Sequence, residues 1–162
     1  MLRFSLYKST LAIAAAIIIC ELAGVVGALF TVPAIGTWYA TLTKPALNPP
    51  PFVFGPVWTT LYALMGIAAF LVWRHGWGER KVRTALSFFG VQLLLNADWS
   101  IVFFGLHSPL GGLIIIVALW LAIIATMVLF YKISPPAMYL LVPYILWVSF
   151  ATYLNAGIWL LN

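Results

Sequence analysis

The chain has 162 residues, of which 65% are hydrophobic and 7% charged, against about 45–50% apolar and about 25% charged in an ordinary soluble domain. That balance excludes a water-soluble globular fold, and it excludes a disordered tail, which needs low hydrophobicity and high charge. Eight Lys or Arg against three acids leave a net charge of +5 that reflects scarce acid, without the clustered cationic face that nucleic acid requires, and a lone Cys20 allows neither an internal disulfide nor a thiolate metal cage.

A bilayer core about 30 Å thick is crossed by roughly 20 mostly apolar residues rising about 1.5 Å each. Five stretches meet that test: 9–30, 52–73, 84–106, 109–131 and 135–161. In hydrocarbon every backbone N–H and C=O must be bonded within its segment, and runs this long without period-2 alternation predict helices, since barrel strands are about half this length. The expected architecture is all-α: an integral membrane bundle of five transmembrane helices occupying 1–162 as a single membrane domain, with a long structured loop between the first two.

The first run follows Arg3 and Lys8 as a secretory leader would. It continues past about 15 residues, carries Glu21 and shows no small-residue cleavage site, so it reads as a retained helix. Glu21 precedes Ala23, Gly24, Gly27 and Ala28, a small-residue set that permits close backbone approach. An ionised carboxylate in a membrane is costly, so Glu21 is expected as a neutral, hydrogen-bonded carboxyl at a helix interface, with a proton or ligand relay as the sharper alternative. The connection 31–51 is long enough to be a lid or a binding loop. It carries Trp38, Tyr39, Pro45, Pro49, Pro50 and Pro51 with Pro33 near its start, and prolines predict a stiff segment packed down on the bundle.

In the second run Trp58, Tyr62, Met65 and Ala69 recur three or four apart and form one stripe. The connection 74–83 holds Arg74, Arg80, Lys81 and Arg83 with Glu79, and Trp73 and Trp77 flank it as an interfacial belt, as Trp159 does near the other end. His75 and His107, at predicted span ends, read as ordinary loop imidazoles. In the third run Gln92, Asn96, Trp99 and Phe103 share a face, while Asp98 lies roughly 120–160° away and is expected to point at a neighbouring helix or subunit. In the fifth, Tyr144, Trp147, Ala151, Leu154 and Asn155 form a third stripe. Buried amides serve either as interhelical glue or as ligand contacts, and one aromatic stripe alone is ordinary packing. Three such stripes with a stiff aromatic loop together describe an aromatic-lined cavity with a few polar groups and a lid, the form of a site for flat apolar ligands.

Five spans place Arg3, Lys8, Arg74, Arg80, Lys81, Arg83 and Lys132 on one side and Lys44 alone on the other. Because Lys and Arg collect on the cytoplasmic side, the N-terminus is expected in the cytoplasm and the C-terminus outside, if the chain sits in a cytoplasmic membrane. No phosphate loop, His pair at metal spacing or Ser/His/acid arrangement occurs, so no metal, no cofactor and no nucleic-acid partner are expected.

Several of these residues resemble the translocator protein family (TspO/MBR), also called tryptophan-rich sensory protein or peripheral benzodiazepine receptor. The resemblance is carried by Trp38-Tyr39, Leu42-Thr43-Lys44-Pro45, Asn48-Pro49-Pro50 and Phe54-Gly55-Pro56-Val57-Trp58-Thr59-Thr60-Leu61-Tyr62. It continues through Gln92-Leu93, Leu95-Asn96, Trp99-Ser100 and Phe103-Phe104-Gly105, and then Pro143-Tyr144, Trp147, Phe150-Ala151-Thr152 and Leu154-Asn155. It implies a five-helix bundle, usually a homodimer, that binds porphyrins such as protoporphyrin IX as ligand rather than cofactor, and in some members cholesterol and benzodiazepine-like drugs. Trp58 and Trp147 match the tryptophans linked to porphyrin binding and its light-dependent breakdown. Ala151 and Asn155 match the region tied to ligand affinity and sterol recognition, and the 38–50 loop, with Trp38, Tyr39, Asn48 and Pro49, matches the lid. Ala156 follows Asn155 and no Lys or Arg occurs after Lys132, so the sterol motif of animal members is incomplete here. Ala46 and Leu47 stand where many members have an aromatic, and Asp98 where most have a small apolar residue.

The implied function is a membrane receptor or transporter-like protein for tetrapyrroles. A porphyrin would stack on Trp58, Trp147, Tyr62 and Trp99, with Lys44 the only cation on that side. Light- and oxygen-dependent porphyrin degradation at Trp58 and Trp147, and proton-coupled transport through Glu21 and Asp98, are the alternatives.

Overall fold

Helix is the form that lets an apolar run satisfy its own backbone inside lipid, and helix is what the chain adopts. The structure, a computed structural model, describes residues 6–162; Arg3 lies outside the described residues. Helix α1 spans Leu6–Ile35, a short α2 covers Trp38–Thr41, and a 3-10 turn at Pro51–Val53 leads into α3, Phe54–Trp73. Helix α4, Arg80–Ser100, runs on as a π-helical turn, Ile101–Gly105, followed by α5 (Pro109–Tyr131), α6 (Pro135–Leu140) and α7 (Val142–Leu161). No strand occurs among the described residues. Five segments, Lys8–Ile35, Pro51–Trp73, Arg80–Gly105, Pro109–Tyr131 and Pro135–Leu161, are long and apolar enough to cross a membrane.

The predicted bounds shift at three places, each for a local reason. Helix α1 continues through Pro33 to Ile35, five residues past the expected end. The Thr37 hydroxyl donates to the Pro33 carbonyl at 2.9 Å and so satisfies one of the exposed terminal carbonyls. Helix α4 begins at Arg80 rather than 84, because Val82 within the charged run is fully buried while Arg80, Lys81 and Arg83 stay exposed. The fifth span is broken: α6 ends at Leu140 and α7 restarts at Val142, with Pro143 in its first turn, where a missing N–H costs least. Helix α5 opens as its sequence suggests, with Pro109 in the first turn and the Ser108 hydroxyl accepting from Gly111 N at 3.1 Å.

The spans close into a ring. Helix α1 packs on α3 and α4, α4 on α5, α5 on α6 and α7, and α6 on α3. At the end near the 74–79 connection the interior is solid: Met65, Val72, Val82, Phe130 and Ala137 are fully buried, and Phe89 stacks on Phe130 at 5.7 Å between centroids. A Cβ at Gly66 would stand 2.5 Å from Ile17 Cα, so the α1 and α3 backbones meet there. At the other end the 36–50 connection is held down. Asn162 Oδ1 accepts from Thr43 N at 2.9 Å, Asn162 Nδ2 donates to Thr43 O at 3.0 Å, and a Cβ at Gly157 would lie 3.0 Å from the Pro45 ring.

A lateral aromatic cavity as candidate functional site

The half of the bundle beneath the 36–50 loop is hollow. A cavity of about 450 Å³ is bounded by the later turns of α1, the start of α3, the end of α4 and α7, within the about 300–1,000 Å³ usual for small-molecule sites. Its walls are aromatic: Tyr39, Phe52, Phe54, Trp58, Tyr62, Trp99, Phe103 and Phe104. Trp58 stacks on Tyr62 at 5.7 Å and approaches Trp99 at 6.4 Å, and Trp99 stacks on Phe103 at 5.6 Å. The mouth lies at the side, between α1 and α3, where Val25, Val32, Phe52 and Thr59 line the cavity and are exposed.

Two local features open this space. Gly24 and Gly27 replace side chains on the cavity face of α1, and a Cβ at Gly24 would collide with the Tyr62 ring. The π-helical turn, in which Leu106 N donates to Ile101 O five residues back at 2.9 Å, presents both Phe103 and Phe104 inward. The small-residue set on α1, expected to seat a neighbouring helix, thus also makes room for the void.

The floor is a hydrogen-bond network. Tyr62 Oη donates to Asn96 Oδ1, Asn96 Nδ2 donates to Tyr144 Oη at 2.9 Å, and Tyr144 Oη donates to Gln92 Oε1 at 2.8 Å. Gln92 Nε2 turns to Met65 Sδ at 3.9 Å. Higher up, Trp99 Nε1 donates to Asn155 Oδ1 at 3.0 Å, and Asn155 Nδ2 to Pro109 O at 2.7 Å. These amides tie α3, α4, α5 and α7 together, and their hydrogen bonds are made within the protein.

Of the residues singled out from sequence, Tyr39, Trp58, Tyr62, Asn96, Trp99, Ala151 and Asn155 line the cavity. Gln92 and Tyr144 lie under it, buried in the network. Trp38, Asn48 and Pro49 do not line it. Trp38 stacks on His107 at 4.6 Å, and Asn48 Oδ1 accepts from Tyr39 Oη at 2.8 Å. Asn48 thereby fixes the phenol that closes the end of the cavity, and burial pushes that phenol above its ordinary pKa. Trp147 also stays outside. The buried stripe of α7 runs through Tyr144, Val148, Ala151 and Asn155, so Trp147 sits to one side, edge-on to Phe54 at 5.8 Å, with its Nε1 buried and without an acceptor among the described residues. Lys44 does not reach the cavity: its Nζ donates to Leu42 O at 3.0 Å and lies over the Tyr39 ring at 4.7 Å.

The two membrane acids fall apart from one another. Glu21 lines the cavity, in the wall that α1 shares with Tyr62 of α3. Asp98 is exposed on the outer face of α4, in line with Val91 and Leu94, so among the described residues no neighbouring helix receives it and the acids share no path. Among the cavity residues that sequence reading missed are Phe52 and Phe54 before the Trp58 stripe, Phe104 at the π turn, and the α1 face from Glu21 to Ile35. For α1 the available signal was the run of small residues with an acid beside it.

Residues 16–160 match the model of the TspO/MBR family. The chain is 46% identical over 155 residues to the tryptophan-rich protein TspO of Chlorobaculum tepidum, covering 96% of this chain and 98% of that protein. It is 40% identical to protein CrtK of Rhodobacter capsulatus, over 88% of each chain. It is 42% identical to the human translocator protein, over 75% of this chain and 73% of that one.

Proposed function

The chain belongs to the TspO/MBR family of multi-pass membrane proteins, and from that premise we propose that it is a membrane receptor or carrier that binds tetrapyrroles such as protoporphyrin IX in the lateral cavity. The observation that supports this reading is the wall formed by Trp58, Tyr62, Trp99 and Phe103, a set of close aromatic faces suited to a flat π system. The mouth between α1 and α3 lies within the membrane spans, so an apolar ligand arrives from the lipid. The cations Arg74, Arg80, Lys81, Arg83 and Lys132 gather at the end opposite the cavity, and by the positive-inside rule that end faces the cytoplasm. Reporter fusions at the two termini test this orientation: a cytoplasmic C-terminus overturns it.

Titration of protoporphyrin IX against tryptophan fluorescence tests the site. Trp58→Leu, which removes a stacking face, weakens binding by about tenfold, the size of one aromatic contact. Trp147→Leu changes it by no more than about twofold, because that indole lies outside the wall. Saturable quenching unchanged in Trp58→Leu removes the assignment. A second reading, light- and oxygen-dependent breakdown of the bound porphyrin, draws support from the contiguous oxidisable rings of Trp58, Tyr62 and Trp99. It requires illuminated complex to lose its porphyrin band faster than free porphyrin does.

A further inference from the structure

The cavity wall contains three ionisable side chains, Glu21, Tyr39 and Tyr62. Tyr39 donates to Asn48 and Tyr62 to Asn96. Glu21 is half-buried and has neither a hydrogen-bond donor nor an ion-pair partner among the described residues. The amides that share the cavity wall are no help, since Asn96 and Asn155 already use oxygen and nitrogen on Tyr62, Tyr144, Trp99 and Pro109. The cations are no nearer: Lys44 rests on Leu42 O and the Tyr39 ring, and the basic cluster stands at the far end of the bundle. A carboxyl within a membrane span is costly without a partner, and the space in front of this one is a ligand-sized void lined by π faces.

We infer that Glu21 makes the cavity a site for flat aromatic ligands that carry a cationic nitrogen, held by a charge-assisted hydrogen bond from the ammonium to the Glu21 carboxylate while the ring stacks on Trp58 and Trp99. Three physical terms favour that ligand together. The ammonium supplies the donors Glu21 lacks, the indole faces attract a cation, and the ring displaces space that the apolar walls leave empty. The inference rests on the cavity being a ligand site, as proposed above, and it names a second chemical class. A porphyrin's propionates, as carboxylates, bring Glu21 no donor, whereas an aromatic amine does.

The test uses the full chain in detergent at pH 7 with two probes that share one ring system, 1-pyrenemethylamine and 1-pyrenemethanol, followed by energy transfer from tryptophan. In the wild type the amine binds about tenfold more tightly than the alcohol, the scale of one hydrogen bond to a charged group. Glu21→Gln, which keeps shape and an acceptor but no charge, and Glu21→Leu both bring the two probes to within about twofold of one another. Trp58→Leu weakens both probes together. Equal binding of amine and alcohol in the wild type overturns the role of Glu21 without any variant being needed, and so does a preference that persists in Glu21→Gln. If neither pyrene binds but protoporphyrin IX does, the inference falls and the tetrapyrrole reading stands. If none of the three binds, both fall.

Discussion

The two ends of this bundle are built from the same five spans and serve opposite ends. Toward the 74–79 connection the side chains interlock: Phe130 lies on Phe89, Val72 and Val82 have no exposure, and Gly66 lets two backbones touch. Toward the 36–50 loop the same helices part, glycines stand where side chains would fill the gap, and α4 loosens into a π turn. The network of Tyr62, Asn96, Tyr144 and Gln92 lies on the border. In lipid, helix association depends on packing and on interhelical hydrogen bonds because there is little hydrophobic gain between helices. The solid half therefore supplies the cohesion that permits the other half to remain hollow.

The largest contrast is expected from truncating one ring in each half. Phe130→Ala creates a void in close packing and lowers stability by about 3 kcal/mol, the lower end for such truncations because the hydrocarbon reference softens the transfer term. Trp58→Ala enlarges an existing void and costs roughly 1 kcal/mol or less on the same reasoning. Thermal unfolding in detergent measures both, and equal losses would erase the distinction between the halves. Tyr144→Phe attacks the border. It leaves Asn96 Nδ2 and Gln92 Oε1 buried without their partner, and a stranded buried polar group costs about 1–3 kcal/mol.

Smaller effects belong to the covered end. Asn162→Ala removes the clasp on Thr43 and costs about 1 kcal/mol at most; faster amide exchange confined to 36–50 is the sign to look for. The least effect is an alkaline one. Burial raises the Tyr39 phenol above its ordinary 10.0, so the neutral form is favoured in the closed loop. The closed state is then fully stable below about pH 10, and its stability falls as pH rises beyond the unfolded value. Amide protection of the loop should decline there in the wild type and stay level in Tyr39→Phe.

How far the site could be read from sequence depended on the kind of signal. The stripe Gln92, Asn96, Trp99 and Phe103 is legible because a 3.6-residue period puts those positions on one face, and the structure turns that face inward. Trp147 shows the limit of the same rule. On a helix, positions three and four from Tyr144 both qualify as neighbours, and the packing of α7 gives the interior to Val148. Asn96 and Asn155 could be recognised as inward polar groups, but whether a neighbour or a ligand would satisfy them depended on where Tyr62, Tyr144 and Trp99 arrive from other helices. The break at Leu141 and the π turn after Ser100 have no periodic signature at all, since each is decided by how a helix end meets its neighbours.

Composition alone determined that this chain lives in a membrane, and spacing determined that five helices cross it, because the bilayer demands a fixed length of internally bonded apolar backbone. The motifs pointed to the family. Tertiary structure alone decided which polar groups are spent. It showed that the amides are consumed in holding the bundle together, that Asp98 faces outward, and that Glu21 lines the cavity with no partner among the described residues. Hydrogen bonds between helices join residues far apart in the chain, so no local pattern can say which donor finds which acceptor.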